Sequence, residues 1–226
     1  MTTILITGTN RGIGLEMARQ ALAKGWTVYG SARSAVTDPD AHICEHPDFH
    51  DLVFDVTDRA AVRAAAASLA TPIDILINNA GIIGPERQST LDMDFDGFAK
   101  ALAVNTLAPL AVAQAFLPHL QRSTNPRILT VSSWMGSLSH AKSDRIAYRA
   151  SKAAVNKVMQ GLATDLEPMG VTVAMLHPGW VRTDMGGAGA DIDAATSAGG
   201  ILNIAEGLTL EGTGQLYNWD GSLLDL

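Results

Sequence analysis

Short, uniformly apolar runs that alternate with longer helical patterns most narrow what this chain can become. Residues 3–7, 27–32, 51–55, 73–78, 127–132 and 171–177 are rich in Val, Ile and Leu. They show little of the period-two polarity of a half-exposed strand, so they read as strands buried on both faces of a parallel sheet. Helical patterns fall between them at 12–24, 58–70, 93–120, 148–167 and 194–206. The third is expected to divide into two helices near 105–109, and a last short strand is expected near 214–218. This alternation gives right-handed crossovers and an α/β, doubly wound parallel sheet of about seven strands, flanked by helices on both faces.

No Pro/Gly/Ser linker divides the 226 residues, which therefore read as one domain, 1–226. A chain of this size buries roughly 70% of its unfolded surface. Lys and Arg number 16 against 23 Asp and Glu, a net charge of −7. That balance excludes general binding to nucleic acid or anionic membranes, which needs a basic surface. A single cysteine, Cys44, forms no internal disulfide and suits a reducing, cytoplasmic setting. Met1-Thr2-Thr3-Ile4 lacks the basic start of a signal peptide. The apolar stretch 99–120 is broken by Lys100, Asn105, Thr106, Pro109, Gln114 and His119, whereas a membrane span needs ~20 mostly apolar residues.

The placement of the glycines is more telling than their number. Thr7-Gly8-Thr9-Asn10-Arg11-Gly12-Ile13-Gly14 joins the first strand to the first helix. Glycines there let backbone approach a pyrophosphate, and the helix N-terminus supplies free N–H groups, as in a Rossmann fold. The second strand ends Gly30-Ser31-Ala32-Arg33, with Ala32 where an NAD site usually has an acid. Arg33, with Arg11 in reach of the same spot, favours a 2′-phosphate and hence NADP(H) over NAD(H). The alternative for Arg33 is a solvated loop charge. Further on, Tyr148 and Lys152 stand at i and i+4 of a helical pattern and share a face. An ammonium there is expected to draw the phenol pKa down, making a general acid/base, with Ser133 able to hold the reacting oxygen.

Together these motifs resemble the classical short-chain dehydrogenase/reductase family. Gly8–Gly14 is similar to its TGxxxGxG and Asn78-Asn79-Ala80-Gly81 to its NNAG. Asn105 stands at its helix asparagine, Ser133, Tyr148 and Lys152 at its other catalytic positions, and Pro178-Gly179 with Val181 and Thr183 at its PG motif. Ser132 is the other candidate serine. Ser133 is chosen because Trp134-Met135-Gly136 follows it, although its gap to Tyr148 exceeds the family's usual one. Ser132-Ser133-Trp134-Met135-Gly136 and Tyr217-Asn218-Trp219-Asp220-Gly221 also resemble C-factor-like carbonyl reductases, a group that includes signalling roles.

The resemblance implies a carbonyl reductase or alcohol dehydrogenase acting on a small-molecule ketone, aldehyde or quinone. A nucleotide-binding signalling protein with little turnover is the alternative. It implies that Tyr148 protonates the carbonyl oxygen, Lys152 lowers its pKa and binds the nicotinamide ribose, Ser133 orients the oxygen and Asn105 holds a water. It also implies cofactor contacts from Gly8, Asn10, Arg11, Gly12, Ile13 and Gly14, from Arg33, Asp55 and Val56, from Asn79, Ala80 and Gly81, and from Pro178, Gly179, Val181 and Thr183. A homodimer through the alanine-rich helices, with a homotetramer as the larger alternative, is implied as well. The substrate loop is expected at 185–200, and an extended C-terminal substrate domain is not expected. His177 lacks companions at ligand spacing, so no metal is expected. His140 is either a substrate contact or a solvated loop residue, and Trp134 and Trp180 are either pocket walls or packing.

Overall fold

The computed structural model describes residues 1–35 and 43–226. Strand β1 (Thr3–Thr7) is wholly buried and lies between β2 (Thr27–Ala32) and β4 (Ile75–Asn78), both parallel to it. β3 (Phe49–Val53) lies outside β2, and β7 (Arg127–Val131), β8 (Thr172–His177) and β9 (Leu216–Asn218) extend the other side. The seven expected strands thus form one parallel sheet. An eighth, β10 (Leu223–Leu224), adds to the edge antiparallel to β9. A separate ribbon pairs β5 (Gln88–Ser89) with β6 (Asp92–Met93).

Alternation along each strand divides the core. Ile4, Ile6, Val28, Ile75, Ile77 and Leu176 face helices α1 (Gly12–Ala23) and α6 (Ala194–Gly207). Leu5, Tyr29, Leu76, Ile128, Val173 and Met175 face α2 (Arg59–Ser68), α4 (Ala108–Leu120) and α5 (Ile146–Leu166). Burial on both faces is why these strands read as near-continuous apolar runs.

Four expectations need correction. The third strand covers Phe49–Val53, not 51–55, because its register with β2 ends at Val53 and Asp55 turns the chain by accepting from the N–H and hydroxyl of Thr57. The third helical pattern does not divide. α3 (Phe95–Leu102) continues through a π-helical turn, Ala103–Leu107, into α4, so the helix runs unbroken over Phe95–Leu120. Pro109 therefore lies inside this helix, directly after the π turn, where it removes one backbone donor without ending the helix. That helix is long and apolar enough to cross a membrane by length and composition, but here it packs against α2 and α5. Third, α5 begins at Ile146 rather than 148. Finally, the irregular stretch expected over 185–200 ends at 193, because Asp193 caps α6 by accepting from the N–H of Thr196.

Phe116 on α4 is fully buried beneath the sheet. Phe116→Ala is expected to lower unfolding free energy by about 3–5 kcal/mol, read by urea unfolding.

Candidate active site

The strand order reverses between β1 and β4, and their carboxyl ends open the crevice where ligands bind in such sheets. Thr7 and Asn79 clasp its floor. The Thr7 hydroxyl oxygen accepts from the N–H groups of Asn79 and Ala80, both at 3.0 Å. The Asn79 side-chain amide donates to the carbonyls of Thr7 (2.8 Å) and Gly8 (3.2 Å). Above this clasp Gly8 and Gly12 adopt left-handed φ of 76° and 57°. A Cβ at Gly14 would collide with the Gly8 carbonyl and the Asn79 amide, so only glycine lets α1 rest on the loop. The first turn of α1 has no side-chain cap and no acidic residue, whereas α2, α3 and α6 are capped by Asp58, Asp94 and Asp193. Its leading N–H groups are therefore available to an anion. Asn10 is exposed on the loop, and Ile13 packs its side chain on the core below.

Two basic residues were expected to share one spot, but Arg11 lies elsewhere. Its guanidinium is 2.6 Å from the Asp184 carboxylate, bridging the glycine loop to the loop after β8. Opposite charges face one another there across the crevice, and both side chains are exposed. Arg33 is exposed at the end of β2. It stands near Asp55, whose pKa is lowered chiefly by hydrogen bonds from Thr57, with Arg33 and Lys100 adding to the effect. Val56 packs partly onto the core.

On the other side of the crevice α5 carries the reactive set. Ser133 caps a short 3-10 turn, Trp134–Gly136, its hydroxyl accepting from the Met135 N–H at 3.1 Å, and it acts on the Tyr148 phenol, whose pKa it helps to hold down. A Cβ at Gly136 would press on the Lys152 and Ala153 backbone at 2.8–2.9 Å, so this glycine sets the approach of the serine loop to α5. Ser132 points away: its hydroxyl donates to the Asn156 side chain on the same helix. The geometry therefore pairs Ser133, not Ser132, with the tyrosine.

Lys152 is buried. Its Nζ donates to the Val131 carbonyl at 2.8 Å and lies 5.6 Å from the centre of the Tyr148 ring. Burial lowers its pKa from 10.5 to about 8. The phenol departs from the sequence expectation. Burial raises its pKa above 10.0, and the Ser133 hydrogen bond and the Arg145 charge only partly oppose that. Asn105, in the π turn, spends its side-chain amide on the Ile82 backbone (2.9 and 2.8 Å) and on Ser151 Oγ (2.9 Å). It clamps the segment after Gly81 to α5. A Cβ at Gly81 would be 3.3 Å from Asn105 Oδ1 and 3.8 Å from Lys152 Nζ.

The segment after β8 closes the remaining side. The Pro178 carbonyl accepts from the Ser197 hydroxyl, and Gly179 is left-handed at φ 85° beside Ile192 and Trp219. Val181 buries its side chain and bridges Ile192. Thr183 reaches the glycine loop, its Cγ2 3.4 Å from a Cβ at Gly12. Trp180 is exposed, its indole N–H donating to the Gly186 carbonyl, and Trp134 stacks edge-on with His140 at 4.6 Å. His177 is kept neutral by burial, which lowers its pKa to about 4.

Residue patterns did not reveal Gln88. It is buried in β5, donates to the carbonyls of Ile83 (3.2 Å) and Pro85 (2.7 Å), and accepts from the Tyr148 N–H at 3.1 Å. It thereby caps α5 from a distant segment. Ser151 was also missed. It links Asn105 to the Tyr148 carbonyl, which its hydroxyl meets at 2.7 Å.

A crevice of this form belongs to the dinucleotide-binding class of doubly wound proteins. The profile of the short chain dehydrogenase family matches residues 2–191, and the chain belongs to that family. It is 40% identical to C-signal of Myxococcus xanthus, over 71% of this chain and 98% of that protein. It is 33% identical to the short-chain dehydrogenase RED3 of Pyricularia oryzae, over 99% of this chain and 98% of that one. The structure of NADPH-bound carbonyl reductase from chicken fatty liver superposes with a TM-score of 0.89 at 30% identity, covering 100% of this chain and 99% of the other.

Two outcomes follow. Gln88→Ala, which strips a cap and leaves buried groups unpaired, is expected to cost about 1–3 kcal/mol in urea unfolding. Lys152 gives a pH signature. Between about pH 8 and 10.5 the unfolded chain holds the lysine proton and the fold has released it, so wild-type stability rises with pH across that window. Lys152→Met lacks this rise, and the stability difference between the two proteins is expected to be flat below about pH 8.

Proposed function

We propose that this protein is an NADP(H)-dependent oxidoreductase that interconverts a small-molecule carbonyl and its alcohol, with Tyr148 as general acid/base. One observation carries the reading: buried Lys152, its Nζ 5.6 Å from the centre of the Tyr148 ring and 3.8 Å from a Cβ at Gly81, faces the same crevice as the glycine loop. The family membership and the NADPH-bound carbonyl reductase support it.

The residues present fit a dinucleotide. Gly8, Asn10, Arg11, Gly12, Ile13 and Gly14 would hold the pyrophosphate at the uncapped start of α1. Arg33 would meet a 2′-phosphate, and Asp55 and Val56 the adenine. Asn79, Ala80 and Gly81 would line the ribose, with the Asn79 side chain already committed to the floor. Pro178, Gly179, Val181 and Thr183 would flank the nicotinamide, Val181 through its backbone. When bound, the nicotinamide supplies or accepts the hydride.

The protein's own groups handle the proton. In reduction the carbonyl oxygen, held by Ser133 and Tyr148, takes the phenol proton as its carbon gains the hydride, so the product is the neutral alcohol. At neutral pH the phenol is protonated and so is ready to act as the proton donor of the reductive step. Lys152 would stabilise the tyrosinate left behind, and Asn105 holds the wall that keeps Lys152 buried.

Half-exposed Ala111, Ala115, Ala150, Ala153 and Ala154 on α4 and α5 suit a two-fold homodimer face, and the exposed single thiol of Cys44 suits a cytoplasmic setting. A second reading, a nucleotide-binding signalling protein with little turnover, is favoured by the 40% identity to C-signal. A carbonyl panel with NADPH separates the two, since tight binding without turnover selects the second. Tyr148→Phe is expected to lower kcat by about 10²–10⁴-fold with NADPH affinity preserved. Arg33→Ala is expected to weaken NADPH binding more than NADH binding, read by fluorescence titration.

A further inference from the structure

Resting on the carbonyl-reductase reading, we infer that Arg145 selects substrates that carry a carboxylate near the carbonyl. Arg145 is the only described non-glycine residue with positive φ, at 52°. A long side chain is disfavoured in the left-handed region, and such outliers persist where the surroundings demand them. This one stands immediately before α5, three positions ahead of Tyr148, and leaves the helix without a local side-chain cap. Gln88 supplies the capping contact instead, at the N–H of Tyr148.

The strained turn places Arg145 on the wall of a cavity of about 730 Å³, lined also by Ile83, Pro85, Arg87, Ser89 and Met185. The other charges on that wall are largely spent. Arg87 is 2.8 Å from Asp92, and Asp144 is 2.9 Å from Arg149. Glu86, like Arg145, is exposed and makes no ion pair among the described residues, so it is the one competing carboxylate on the wall. Arg145 makes no ion pair among the described residues, and its charge is felt at the Tyr148 phenol. Gln88 on the same wall accepts from the Tyr148 N–H, so this cavity adjoins Tyr148, and a substrate whose carbonyl sits on Tyr148 and Ser133 can extend toward the Arg145 guanidinium. A carboxylate would meet it with a charge-assisted, bidentate pair. Ile83, Pro85 and Met185 suit an apolar body, so the substrate class is an aryl or alkyl oxo acid.

The test uses NADPH with phenylglyoxylate and 4-oxopentanoate, each beside its methyl ester, on wild type, Arg145→Asn and Arg145→Lys. Asn tolerates the left-handed backbone, so the fold is kept while the charge is lost. Expected is a preference for the acids in wild type, lost by about 10- to 100-fold in Arg145→Asn through KM, with the esters within about threefold and partial recovery in Arg145→Lys. A binding readout runs beside it: calorimetric titration of mandelate and methyl mandelate into the NADPH-loaded protein, with mandelate affinity alone depending on Arg145. A wild-type preference for the esters, an equal loss on acids and esters, or mandelate binding that ignores Arg145 overturns the inference. Absence of turnover on every carbonyl, neutral ones included, defeats the oxidoreductase reading instead, and Arg145-dependent mandelate binding would still uphold the anion site.

Discussion

The site depends first on the clasp between Thr7 and Asn79. Two strand ends that diverge at the switch point must be held at a fixed spacing, or the glycine loop above them has no floor. One hydroxyl and one amide do this with four hydrogen bonds to backbone, which pair the N–H groups of Asn79 and Ala80 and the carbonyls of Thr7 and Gly8. The collision that any Cβ at Gly14 would make with this same clasp shows how closely α1 is seated on it. The helix axis, and with it the direction of its free N–H groups, follows from a side chain three strands away in sequence.

The opposite wall is fixed by a buried polar network rather than by apolar packing alone. Asn105 ties the segment after β4 to Ser151, Ser151 ties back to Tyr148, Gln88 holds the Tyr148 N–H and Ser132 binds Asn156 further along α5. Buried groups of this kind are costly unless each finds a partner, so they specify one arrangement. The π turn belongs to the same economy of space. It carries Asn105 inward without ending the helix that the rest of the wall leans on.

Much of this was legible in the residues. Strands at 3–7 and 27–32 emerge at their expected bounds because both faces are buried and the apolar runs have sharp ends. The edge strand at Phe49–Val53 is shifted because it is largely exposed and its pattern is set by pairing, not by burial. Two-residue strands such as Leu223–Leu224 and Gln88–Ser89 are too short to show any period. Tyr148 and Lys152 could be paired from sequence because i and i+4 share a helix face. Gln88 could not, since its partner is 60 positions away. The raised phenol pKa was hidden for a related reason: the spacing to Lys152 is local, while the desolvation that raises the phenol comes from the whole fold.

The bridge between Arg11 and Asp184 has a consequence for how salt acts on this protein. An anion entering the crevice and taking the Arg11 guanidinium would displace a carboxylate already there, so one ion pair is exchanged for another. The count of paired charges hardly changes at that residue, and ionic strength would weigh about equally on the open and the occupied cleft there. Asp184 acts as a built-in competitor, and when it loses its place the loop after β8 gives up its charged tie to the glycine loop while its ties to Ser197 and Ile192 remain.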